Sequence, residues 1–231
     1  EQALIDLGYD TTLDDSVLTA NISGVTSLNV HGKEISDLTG IQAFVALEEL
    51  RCTWNKLTSL DLSKNTALIE LHVGNNVLTS LDVSKNTALV YLNCDWNYLT
   101  SLDVSKNTAL KGLNCHNNQL TSLDVSKNTA LVGISCNNNQ LTSLDVSKNT
   151  ALQTLHCHNN QLTSLNMKNG LTINLSEFTA TDNSGLSCIE TLDPAYATGG
   201  WSNVDAGVTF SLSCMEDFEW MSSASDTINI T

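Results

Sequence analysis

Three groups of residues in this 231-residue chain carry side chains capable of chemistry. His156 and His158 stand two apart, the spacing at which alternate side chains of a strand can chelate a transition metal. Asp182 is the candidate third ligand, and a pair with a third group on a later segment suits opportunistic metal binding rather than a catalytic zinc. Cys52, Cys94, Cys115, Cys136 and Cys157 recur at multiples of 21 residues. Trp54, Tyr91, Trp96 and Tyr98 make up half of the eight Trp and Tyr residues, interleaved with Arg51, His72, Asn93 and Asp95. Trp, Tyr and Arg are typical anchors of a protein interface, and aromatic rings also stack on sugar faces. No phosphate-binding glycine loop, nucleophile elbow or paired catalytic carboxylates can be read in the chain. It is therefore expected not to be an enzyme and to need no cofactor.

A strict repeat positions these groups. The stretch LTSLDVSKNTAL begins at Leu78, Leu99, Leu120 and Leu141, and a fifth copy from Leu57 differs only at Leu62. Each 21-residue period has two similar halves. Leu57, Leu60, Leu62, Asn65 and Leu68 follow LxxLxLxxNxxL, and Leu68, Leu71, Val73, Asn76 and Leu78 follow LxxLxLxxNxL. This is leucine-rich repeat patterning at the short end of its range. One coil cannot bury its own leucines, but stacked coils pair short parallel strands about 4.8 Å apart around a continuous apolar column. The expected fold is an α/β-type repeat solenoid, predominantly β. Columns headed by Asn55 and Asn65 point inward to satisfy backbone groups at the turns. The five periodic cysteines share an inward position with Val73, so they are read as small hydrophobes, free and buried. Cysteines stacked in register are too far apart for a disulfide.

The constant half of each period presents Thr, Ser, Asp and Lys in columns, such as Asp61 and Lys64, and reads as a solvated structural face. The other half varies from coil to coil, and all four clustered aromatics lie there. That half is where a ligand is expected.

At these residues the chain resembles the bacterial 21-residue leucine-rich repeat class called IRREKO. It is most similar to secreted Bacteroidetes-type proteins with LTSLDVSKNTALxxLxCxxNQ repeats. EQALIDLGYD resembles that family's helical N-terminal cap. VTSLNVHGKEISDLTGIQAF, from Val25, resembles its 22-residue, internalin-like opening repeat, and LSCIETLDPAYATGGWSNVDAGVTFSLSC, from Leu186, resembles its C-terminal cap. The resemblance implies that the variable strands form the concave, ligand-reading face. The expected organisation is an N-terminal cap over residues 1–24, a solenoid over 25–186, a C-terminal cap over 187–214 and a tail or linker over 215–231. Cys188 and Cys214 flank the last cap and are expected to be disulfide-bonded, which suits a secreted or cell-surface setting.

Charge narrows the partners. Residues 57–163 carry seven acids and six bases, while most of the net charge of −15 lies at the two ends. With no basic stripe, nucleic acid is excluded as a partner. No apolar run reaches the roughly 20 residues of a membrane span. The chain reads as a monomeric recognition module for adhesion or protein binding, with Trp54, Tyr91, Asn93, Asp95, Trp96, Tyr98, Arg51 and His72 as candidate contacts. Polysaccharide binding by the same aromatics is the second reading, and a structural spacer within a larger surface protein is the third.

Overall fold

The computed structural model describes residues 1–170 and 175–214, so the tail expected over 215–231 lies outside the described residues. Two short helices, α1 (Gln2–Asp6) and α2 (Thr19–Ile22), open the chain. The strands that follow are three residues each: β1 (Ser27–Asn29), β2 (Glu49–Arg51), β3 (Glu70–His72), β4 (Tyr91–Asn93), β5 (Gly112–Asn114), β6 (Gly133–Ser135), β7 (Ser143–Asp145), β8 (Thr154–His156), β9 (Ser164–Asn166), β10 (Glu177–Thr179), β11 (Cys188–Glu190) and β12 (Thr209–Ser211). Helix α3 (Pro194–Gly200) lies between the last two. Among the described residues no helix is long and apolar enough to cross a membrane.

The variable half-repeats form one parallel sheet in the order β1-β2-β3-β4-β5-β6-β8-β10, and the constant half forms strands only late, as β7 and β9, which join β11 and β12 in a second sheet of order β12-β11-β9-β7. Pairing is in register by whole periods: Arg51 opposes His72, and His72 opposes Asn93. Each strand can be so short because its central residue carries the burial. Leu50, Leu71, Leu92, Ile134 and Leu155 are fully buried, and each coil adds a further set of leucines to one continuous core.

The cysteine column is as expected. Cys52, Cys94, Cys115, Cys136 and Cys157 are buried and free. Burial pushes the thiols of Cys52, Cys94 and Cys136 up to about 12, and those of Cys115 and Cys157 well above their ordinary value. At neutral pH they carry no thiolate and act as packing atoms.

The two asparagine columns supply the polar frame. Asn97 donates to the carbonyls of Val73 (3.1 Å), Cys94 (3.2 Å) and Asp95 (3.0 Å) and accepts from the Leu78 N–H (3.0 Å), linking two coils through one amide. Asn107 donates to Val83 (3.0 Å) and Asn86 (2.8 Å) in the coil before it. The constant Asp column caps its own turns: Asp61 Oδ1 accepts from Ser63 N (2.9 Å), and Asp82 from Ser84 N (2.8 Å). These backbone bonds hold both carboxyls below their usual range and give the column a structural role.

The C-terminal end is closed by side chains that no longer repeat. Asp193 caps α3 by accepting from Tyr196 N (3.0 Å), and Pro194 occupies the first turn. Trp201 packs between Phe178 and Phe210, at ring separations of 4.9 and 5.7 Å. The Cys188–Cys214 disulfide ties β11 to the end of the described chain, with its Cα atoms 5.7 Å apart. Parallel pairing runs on past residue 186, through β11 and β12.

Candidate functional site

The outward residues of β2 to β5 converge on one patch. Arg51 Nε donates to the Glu49 carboxylate, and its Nη2 lies 3.7 Å from Glu70 Oε2. His72 Nε2 lies 3.4 Å from the same Glu70 oxygen. Bonds from Ser27 and Arg51 hold the Glu49 carboxyl below its ordinary value. Glu49, Glu70 and His72 bring three ligand atoms close enough for a metal ion. The Arg51 guanidinium already pairs with both carboxylates, so a second cation would meet like charge where it needs ligands, and no metal is assigned there.

Tyr91 lies beyond His72, their rings 5.1 Å apart. The ring extends across the next strand because Gly112 leaves it room; a Cβ on Gly112 would come within 2.6 Å of the Tyr91 ring. Burial, with the Asp95 and Glu70 charges adding to it, raises the Tyr91 hydroxyl above its ordinary value.

Asp95, one of the candidate contacts, is not a free surface charge. It is 8% exposed. Its Oδ1 is buried without a hydrogen-bond partner and lies over Gly74, where a Cβ would sit 1.8 Å from it. Its Oδ2 accepts from Asn114 Nδ2 (3.1 Å) and lies 3.8 Å from His116 Nδ1. Desolvation outweighs these contacts, so the carboxyl is raised above its usual range. Gly74, Gly112, Asn114 and His116 belong to the patch and were missed from sequence, because each matters through a residue one coil away. Asn93 accepts from the Asp95 N–H (3.0 Å) and fixes the turn that follows β4.

That turn has an unusual backbone. In successive coils the residue two past the buried strand-end position has positive φ: Trp54 (56°), Asn75 (54°), Trp96 (46°), Asn117 (53°), Asn138 (55°) and Asn159 (52°). Coil stacking imposes it, since the N–H groups of Trp54, Asn75 and Trp96 bond the carbonyls of Gly74 (3.1 Å), Asp95 (2.9 Å) and His116 (3.0 Å) in the next coil. The Asn recurring in this column is the sequence signal for it, because Asn tolerates the left-handed region better than most side chains. Trp54, Trp96 and Tyr98 remain 62%, 55% and 51% exposed.

The histidine pair stands apart from this patch. His156 Nε2 lies 3.3 Å from Glu177 Oε2, and His158 Nδ1 is 3.0 Å from Thr179 Oγ1. Their ring centroids are 6.4 Å apart. Asp182 sits in the positive-φ column, its N–H bound by Asp205 (2.8 Å). His156, His158 and Asp182 do not form one of the converging ligand groups found among the described residues.

Comparison with known proteins agrees with this architecture. No protein-family model matches the chain. Internalin J of Listeria monocytogenes is 43% identical over 58 residues, which is 25% of this chain and 6% of that protein. The solved functional domain of the Listeria monocytogenes internalin InlJ, described as including a cysteine ladder, superposes with a TM-score of 0.62 at 33% identity. That match covers 82% of this chain and 49% of the InlJ structure, so the chain spans about half of that domain. Internalin C2 from the same species shares the fold, with a TM-score of 0.72 at 22% identity over 91% of both chains. Repeat pattern, parallel topology and these likenesses together give the chain a leucine-rich repeat solenoid fold similar to that of the internalin structures.

Proposed function

We propose that this chain is a non-enzymatic, extracellular recognition module that binds a protein partner through the strand face of β2 to β5. The observation that carries the reading is Asp95, a nearly buried carboxylate with one unpaired oxygen, set among Arg51, His72, Tyr91 and Asn93. The equivalent positions in the coil after β5 hold Gly133, Ser135 and Asn137, which carry no comparable anchors. A charged group held short of hydrogen bonds costs stability, and such costs are tolerated where a ligand makes use of them. The likeness to internalin structures supports protein binding, and the Cys188–Cys214 bond fits an oxidising compartment.

The test is a surface-plasmon-resonance screen of the folded protein against an arrayed panel of extracellular protein domains, repeated with Arg51→Ala and Tyr91→Ala. A partner bound through this face should lose about 2 kcal/mol or more at each anchor. Its association rate should also fall with added salt. A partner that binds both variants as well as it binds the wild type would place recognition elsewhere. No binding across the panel would favour a spacer.

A further inference from the structure

The positive-φ column raises a question that the strand face does not answer. Stacking forces every residue in this column into the left-handed region, which costs an ordinary side chain about 1–2 kcal/mol. Four coils hold Asn there, and two hold Trp. Burial does not account for the tryptophans, which are more than half exposed. Nor do hydrogen bonds, since neither indole N–H has a protein partner among the described residues. Apart from an edge contact between Trp96 and the His116 ring, at 6.5 Å, two large aromatic planes are thus presented to water, in a backbone conformation that suits them poorly.

Trp54, Trp96 and Tyr98, with Asn75, Asn117 and Gln119, line an open groove of about 530 Å³ along the turn edge of the sheet. No charged side chain lines it. The amides of Asn75, Asn117 and Gln119 carry no protein hydrogen bond among the described residues, so both donors and acceptors are available. Flat apolar faces beside uncharged amides are complementary to sugars, whose C–H faces stack on rings while their hydroxyls pair with amides. Trp54 and Trp96 are two coils apart, about 10 Å at the usual strand spacing, which suits alternate sugars of an extended chain. The net charge of −15 disfavours an anionic polymer.

We infer that this edge groove binds an extended neutral polysaccharide, with the Trp54 and Trp96 rings stacking on alternate sugars. The groove meets the charged strand face at Trp54 and Asn75, which also line a cavity with Arg51 and Asp95, but it carries no charged side chain of its own, and the inference does not depend on the protein-binding reading.

The test is native affinity electrophoresis of the described chain in gels containing xyloglucan, mixed-linkage β-glucan, galactomannan or dextran, with polygalacturonate as the anionic control. The variants are Trp54→Asn, Trp96→Asn and their combination. Asn already occupies this position in four coils, so each variant should keep the fold, as a circular-dichroism melt will verify. At least one neutral polymer should retard the wild type. Each single variant should bind about tenfold more weakly, and the double variant should migrate freely. Lys85→Ala, on the constant face, should be retarded like the wild type. The inference fails if no neutral polymer retards the wild type, if the double variant is retarded equally, or if polygalacturonate is preferred.

Discussion

Replacing Asp95 with Asn should stabilise the fold and weaken recognition. The carboxylate enters the folded state 8% exposed and recovers little beyond a hydrogen bond from Asn114, the nearby Asn93 amide and a 3.8 Å approach to His116. Its Oδ1 recovers none. Leaving a buried acceptor unpaired costs about 1–3 kcal/mol, more when it is charged. Asn keeps the shape and removes the charge but still leaves one amide atom unpaired, so a net gain of about 1 kcal/mol is expected at pH 7. For a chain of this size that corresponds to a rise in Tm of about 2–4 °C.

The direction of the pH dependence follows from the raised carboxyl. The unfolded state loses its proton first, near pH 3.9, and the folded state later. Wild-type stability therefore falls as pH rises through the interval between those two values and stays lower above it. Below about pH 3.9 both forms are neutral, and the advantage of Asn should vanish. Thermal melts of both proteins at pH 7 and at acid pH measure this. A variant that melts below the wild type at pH 7, or whose advantage persists undiminished in acid, would show that the Asp95 charge is satisfied and refute the reasoning. If Asp95 serves a partner, the stabilised variant should also bind that partner less tightly.

Three further outcomes are expected. Asn97→Ala leaves the Leu78 N–H unpaired and removes one of the donors from each of three carbonyls, so guanidinium unfolding should show a loss of about 2 kcal/mol. The five ladder thiols should be inert to Ellman's reagent at pH 8 in the native state and should all react in denaturant with the disulfide intact, since burial keeps them protonated. Gly112→Ala would drive a methyl group to within 2.6 Å of the Tyr91 ring; partner affinity should drop while the melt shifts little, and unchanged affinity would remove Tyr91 from the contact surface.

The fold was legible because a solenoid turns sequence columns into spatial columns. The inward Leu, Cys and Asn positions meet the same surroundings in every coil, so their period alone locates them. The Cys188–Cys214 bond was legible because those two cysteines fall outside the period. The candidate site was harder to read because its residues depend on unlike neighbours one coil away. Asp95 looks like a rim charge until Gly74 is seen to make room for it, and the reach of Tyr91 depends on Gly112. Trp54 and Trp96 were identified as exposed aromatics, but their backbone cost emerges only from turn geometry. The histidine pair was legible as a pair, whereas the third ligand rested on a diagonal approach set by loop geometry.

Register by whole periods also gives this protein a quantised length scale. Nearly identical copies of LTSLDVSKNTAL invite unequal recombination between repeats, and losing or gaining one period leaves every inward column intact. Deleting residues 75–95, for example, places Trp96 where Asn75 stood and halves the separation from Trp54 to a single step of about 4.8 Å. Point substitutions change what such a surface recognises. Exchange of whole repeats resets the spacing at which it recognises it, so the array works as a ruler whose marks can move without being recut.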